Sequence, residues 1–195
     1  MKPEILAHPN IPKPLHGLAP RTIFGATWWK NERADAIAKQ ESKCASCGVH
    51  LQDAEFHHWL EAHEYYDIDF ATGKAVYKEA VALCHSCHQF IHSGRLLAVL
   101  EKGEISFDRV HRIVDKGLDL CFAFDVVPYI GLQPLVEYLG IPWQSFWQPD
   151  FYAPWSEWRL VVDGKEYKGF DTIEDWAEKY NAEITEEDKL VWSVW

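Results

Sequence analysis

LCHSCHQFIH, residues Leu83 to His92, places two cysteines and three histidines in ten positions. Cys84 and Cys87 stand at CxxC spacing. A second CxxC pair stands upstream at Cys44 and Cys47, followed by Gly48. Each pair is short enough to grip one ion from a single turn. Two pairs supply an all-sulfur tetrahedral set, which suits a structural zinc. The chain has five cysteines, an odd number, and four of them fall in these pairs. That pattern reads as metal binding in a reducing compartment rather than as a disulfide framework, and it predicts a cytoplasmic protein. The fifth, Cys121 in DLCFAFDVV, reads as a small buried hydrophobe.

The histidines of the same stretch suggest a second centre. On a helix, His88 and His92 are four residues apart and project from one face. Upstream, LEAHE offers His63 and Glu64 near the end of a strand. The spacing predicts a strand over 59–66, a turn at 71–74, a returning strand over 75–83, and a helix from Cys84 or His85. That helix stops near Ser93-Gly94 or continues after a break to Leu100. Such a strand–turn–strand–helix brings His63, His88 and His92 together. Along a strand, His57, Trp59, Glu61 and His63 share one face, and His58, Leu60, Ala62 and Glu64 share the other. His57 is therefore a spare ligand or base.

Taken together, CxxCG, LEAHE, a hairpin and LCxxCHxxxH resemble the zinc-stapled branch of the HNH endonucleases, which have the ββα-metal fold. The resemblance covers residues 44–94. The flanks, including PLHGLAPRTIFG, WWKNER and the C-terminal hairpin and helix, are similar to bacterial and phage proteins labelled HNH-like. The resemblance implies metal ligands at His63, His88 and His92, a general base at the position of Glu64, and metal-dependent hydrolysis of a phosphodiester. Arg95, just past the helix histidines, is the candidate phosphate clamp. The family's asparagine position falls at or near Glu79, so the ligands are kept and the H-N pair is not. A carboxylate has a reference pKa about two units below imidazole. Glu64 is thus a weaker base near neutrality unless burial raises it, and it is alternatively a metal ligand.

Composition bounds the partners. At 195 residues the chain is one domain, or one domain with an appendage. No apolar run approaches the ~18–20 residues of a membrane span, and the N-terminal stretch has no secretory h-region. The formal charge of −11 argues against broad non-specific DNA binding. Residues 1–50 hold seven Lys/Arg against four Asp/Glu, whereas residues 150–195 hold five against twelve. Seven of the ten tryptophans lie beyond residue 140, which reads as core packing more than as a partner surface.

The expected class is α+β: a zinc-stapled ββα core with a helical middle and a C-terminal hairpin plus helix. The segments are a Pro-rich arm and leading helix (1–43, the helix over 28–43), the metal core (44–100), a helical and aromatic segment (101–157, with helices at 106–118 and 133–139) and an acidic hairpin–helix (158–195). The hairpin turns at Asp163-Gly164, and Asp171 or Thr172 caps the last helix. Two functions compete. One is an HNH-like nuclease holding Mg²⁺, Mn²⁺ or Zn²⁺ at His63, His88 and His92 beside a structural zinc, with nucleic acid as partner. The other is a non-catalytic zinc module that binds a partner protein. Neither involves a membrane.

Overall fold

In a computed structural model describing residues 1–186, the Pro-rich arm is not extended throughout. It forms 3-10 turns at Pro3–Ala7 and Lys13–Leu15, each with proline in its first turn. Proline presets φ for such a turn, and a 3-10 turn asks for few backbone donors. Helix α1 (Pro20–Lys39) starts earlier than the Ala/Glu/Lys/Arg run suggests, but Gly25 interrupts it at φ 83°, ψ 177°. Only a residue without Cβ adopts that conformation readily. The helix ends short of Lys43 because Glu41 and Ser42 take positive φ and turn the chain toward Cys44.

Strands β1 (Glu61–Asp69) and β2 (Lys74–Leu83) follow, joined by four residues. Helices α2 (His85–Ile91) and α3 (Ser93–Glu101) come next. The break between them falls at His92, at φ −88°, ψ 42°, and not at Gly94, which lies inside α3. The His92 amide still donates to the His88 carbonyl at 3.2 Å, so the turn that pairs these two residues survives. Helix α4 (Phe107–Ala123) is capped by Ser106, whose hydroxyl accepts from the Arg109 amide. After α5 (Gln133–Tyr138) come β3 (Arg159–Val162), β4 (Lys165–Lys168) and α6 (Ile173–Tyr180), the last capped by Thr172.

The protein is therefore mixed α/β. Among the described residues the strands form one sheet in the order β1-β2-β3-β4. Strand β3 runs parallel to β2, with Ala75 opposite Leu160, and antiparallel to β4 across the Asp163-Gly164 turn. No helix among the described residues is long and apolar enough to cross a membrane.

The chain divides into two compact units that alternate along the sequence. The first comprises Met1–Asn10, Glu32–Tyr65 and Ala80–Gln148. Its core packs α2 against α4, and Phe90 and Ile91 on α2 and Val110, Ile113, Val114 and Cys121 on α4 are all buried. Gly117 permits this approach, because a Cβ there would lie 2.0 Å from the Phe90 ring. Burial pushes the Cys121 thiol up to about 12, which suits an inert core residue. The second unit comprises Ile11–Asn31, Tyr66–Glu79 and the chain from Pro149 onward. It is organised around Trp158, fully buried, whose indole donates to the Ala153 carbonyl at 3.2 Å. Trp155 and Trp176 form an aromatic cluster with Phe170 and Ile173 around them.

Candidate metal centres

The first unit gathers its metal-ligating side chains into separate clusters. Cys44 and Cys47 lie on the turn that follows α1, while Cys84 caps α2 and Cys87 lies in its first turn. The Ala45 amide donates to the Ala82 carbonyl at 2.8 Å and seats the first knuckle against the end of β2. One sulfur from each cysteine falls within 4.8 Å of the others, and Cys47 Sγ is 3.7 Å from Cys84 Sγ. A tetrahedral ion with ~2.3 Å bonds to sulfur has an edge of about 3.8 Å, so four thiolates at this spacing fit one ion. Hydrogen bonds from the Cys47, Cys84 and Cys87 thiols draw Cys44 well below the usual thiol range, and in turn Cys44 pushes Cys87 well above it. Four sulfurs competing for protons is the electrostatics of a site that favours a cation. Lys116 lies beside the same group: burial lowers its amine, yet the neighbouring cysteines and Glu55 raise it overall.

The second cluster is His63, His88 and His92, with one nitrogen from each within 4.8 Å of the others. His63 is buried on β1, and its ring centroid lies 5.7 Å from His88 and 5.1 Å from His92. The His88 and His92 rings are 4.6 Å apart and nearly perpendicular. Three imidazoles in this arrangement could hold a metal ion.

A third group, His57, Glu61 and His85, adjoins it. Glu61 accepts from His57 Nε2 at 2.9 Å and from His85 Nδ1 at 2.8 Å on one oxygen, and from His88 Nδ1 on the other. Burial pushes this carboxyl up, but the bonds from His85, His88 and His57 hold it well below the ordinary carboxylate range. Tautomers follow from the partners. Arg109 can only donate, and its Nη2 lies 3.0 Å from His85 Nε2. His85 therefore carries its proton on Nδ1 and gives it to Glu61. His88 likewise spends its Nδ1 proton on Glu61 and keeps Nε2 as the lone pair for a cation. This is the carboxylate–histidine arrangement that orients metal ligands in many centres. Both nitrogens of His57 face acceptors, the Trp59 carbonyl at 3.1 Å and Glu61.

Glu64 is not among the groups brought together. Along β1 it alternates with His63, and a strand sends neighbouring side chains to opposite faces. His57 does not join His63. The chain is irregular before Glu61, so strand alternation does not reach it, and its ring stacks on exposed Trp59 at 3.6 Å and 4°. His58 is exposed, as is Arg95 on α3. The cation within the cluster is Arg109, whose guanidinium also lies 4.5 Å over the Phe56 ring. Phe56 itself holds φ at 74°, an uncommon backbone for a bulky residue.

Sequence reasoning passed over Glu61, His85, Arg109 and His8. Glu61 carried a signal, since it shares the strand face of His63 two residues away. His85 lies inside the quoted decapeptide. Arg109 and His8 are remote in sequence and carried none. No family model, no curated protein and no solved structure matches the chain.

Proposed function

We propose that the protein is an HNH-like, metal-dependent hydrolase of nucleic-acid phosphodiesters, stapled by a structural zinc at Cys44, Cys47, Cys84 and Cys87. The observation that carries this reading is the convergence of His63, His88 and His92, with Glu61 setting the tautomer of His88. A divalent cation held there would polarise a phosphoryl oxygen and lower the charge on the departing one. The protein's own groups would do the rest. Glu61 keeps His88 oriented. Arg109 is a cation beside His85, and its Nε is buried without a hydrogen-bond partner among the described residues, a donor suited to an anionic group. His57, one carboxylate away from His88, turns both ring nitrogens to acceptors, so it is the candidate to orient the attacking water and not to take its proton.

The placement of Glu64 on the face opposite His63 favours a second reading, a lapsed scaffold that binds a protein partner. Plasmid and single-stranded DNA cleavage with Mg²⁺, Mn²⁺ and Zn²⁺ separates the two. Wild type should cut with at least one ion, and His57→Ala should cut more slowly, because the attacking water loses its orienting partner. Wild type that carries an ion at the histidine cluster yet cuts nothing with any metal supports the binding module instead.

A further inference from the structure

We infer that the indole of Trp59 is a stacking platform for a nucleobase, so that the site takes its nucleic acid as a single strand. This rests on reading the site as one that acts on nucleic acid; it adds the form of the substrate and the residue that selects it. Trp59 is 53% exposed and is the one exposed tryptophan among the described residues. An indole is a large apolar surface that folded chains ordinarily cover. Here it is held in place in the open. Its ring lies parallel to that of His57, 3.6 Å away and at 4°. His57 is pinned in turn, through Nδ1 at the Trp59 carbonyl and through Nε2 at Glu61, and its ring meets His85 edge-on at 4.7 Å. The next residue, Leu60, is buried, and its carbonyl accepts from Arg33 at 3.4 Å. Two flat rings at this spacing are the first layers of a stack, and a base makes the third.

The surroundings supply what a sugar-phosphate backbone needs. Phe56, on the same loop, has the guanidiniums of Arg109 and Arg112 at 4.5 Å and 5.1 Å from its ring centre. Arg109 lies beside His85, and its buried Nε has no hydrogen-bond partner among the described residues. Arg112 pairs with Glu55 at 3.1 Å, and both side chains are open to solvent. An exposed pair of this kind contributes little, so a phosphate can take the place of the carboxylate. Contacts run without a gap from Trp59 through His57 and His85 to Arg109, and Glu61 links His57 to His88 of the metal cluster. An aromatic face beside cationic groups is the composition of sites that bind single strands.

Magnitudes decide between the strand forms. Stacking one base on an aromatic ring strengthens binding by about 5- to 140-fold. A base in a duplex is already paired and stacked on both sides, and taking it out costs on the order of 100-fold. The platform therefore gains little from an intact duplex and favours a single strand. The net charge of −11 points the same way. A chain this acidic gathers little affinity from phosphate neutralisation alone, whereas a neutral indole meets a base without charge.

Fluorescence anisotropy with the full chain and no added divalent metal tests this. The probes are a labelled oligothymidylate, an abasic sugar-phosphate strand of equal length and a duplex hairpin of equal charge. Wild type should bind oligothymidylate about 5- to 140-fold more tightly than the abasic strand, and more tightly than the hairpin. Trp59→Ala should bring oligothymidylate down to the level of the abasic strand and leave binding of the abasic strand unchanged. Trp59→Phe, which keeps an aromatic face, should restore part of the gap. Equal binding of the two strands by wild type, a gap that survives Trp59→Ala, or a preference for the hairpin would overturn the assignment. Cleavage is scored separately. Wild type that shows the gap but cuts nothing with any metal would sink the nuclease reading and leave the stacking site standing; wild type that cuts without the gap would do the reverse.

Discussion

The four-cysteine and histidine clusters lie in the same unit and share the segment 84–92, yet they are built differently. The sulfur cluster takes its ligands from two tight turns. Within each pair the chain spacing sets the geometry, and only the approach of one pair to the other is left to the fold. The nitrogen cluster draws His63 from β1, His88 from α2 and His92 from the break before α3. Around it stand Glu61, His85 from α2, Arg109 from α4 and His8 from the arm. Local spacing builds a site that survives modest shifts of its surroundings. A site assembled from many elements depends on how each of them packs, and that dependence can be measured.

The largest expected effect is on the sulfur side. Cys87→Ser removes a buried sulfur from a set that, holding zinc as proposed, would have an apparent metal free energy on the order of 10 kcal/mol, much of it folding free energy. The variant should aggregate or lose its cooperative unfolding transition and retain less than one zinc per chain after dialysis. A well-folded, zinc-free variant would erase the distinction between the two clusters.

Gly117→Ala probes how far the nitrogen cluster depends on packing. The new methyl meets the Phe90 ring between His88 and His92, and the ring or helix α2 must move. Overpacking of this kind costs about 1–3 kcal/mol. Chemical denaturation should show that loss. Metal titration should show weaker binding at the histidines and unchanged zinc at the cysteines; equal loss at both would mean that they respond as one unit.

Glu61→Gln sharpens the comparison at a single carboxylate. It should weaken metal binding at the histidine centre by about 10- to 100-fold, since His88 loses its charged orienting partner. Metal binding at the cysteines should be untouched. Binding at wild-type strength would reduce Glu61 to a bystander.

The smallest effect concerns His16, a histidine outside both clusters and a control for them. Its Nε2–H donates to the Ile11 carbonyl at 3.2 Å, and its Nδ1 accepts from the Trp176 indole at 3.1 Å. Burial lowers its pKa, the Ile11 carbonyl raises it in part, and nearby Lys13 lowers it again, for a net decrease from 6.5. The unfolded chain therefore binds this proton at a higher pH than the folded one. Its contribution to stability is complete above about pH 6.5 and is lost as the pH falls below that value toward the folded pKa. One proton limits the slope to about 1.4 kcal/mol per pH unit. Unfolding curves of wild type and His16→Asn should diverge least at low pH and most above neutrality; parallel curves would deny the linkage.

Much of the architecture could be read from local signals, and the failures have local causes. The Asp163-Gly164 hairpin, the Thr172 and Ser106 caps and the tight turn between β1 and β2 all rest on the chemistry of neighbouring residues. His57 meets Trp59 and Glu61, the residues that alternation puts on its face, but it does so from an irregular loop with Phe56 at positive φ and lies outside the His63 group. Of the two expected endings, a stop near Ser93-Gly94 or continuation after a break to Leu100, the chain takes the second, and it bends at His92 between α2 and α3 while keeping the His88–His92 turn. The Pro-rich arm has no hydrophobic period to mark it as part of a core. It nevertheless buries Ile5 and Leu6 and delivers His8.

The sequence by itself determined two CxxC knuckles, a histidine pair one turn apart and a third histidine on a preceding strand, because ligand spacing within a turn or helix is a property of local geometry. Only the tertiary structure decided that Glu61 ties three imidazoles together, that Arg109 sets the tautomer of His85, and that the first residues of the chain reach the same centre. It also decided that the compact units alternate along the chain instead of following one another. Those outcomes depend on which buried faces meet. Hydrophobic burial drives such meetings without direction, and the polar groups then bond to whatever neighbours packing has brought within reach.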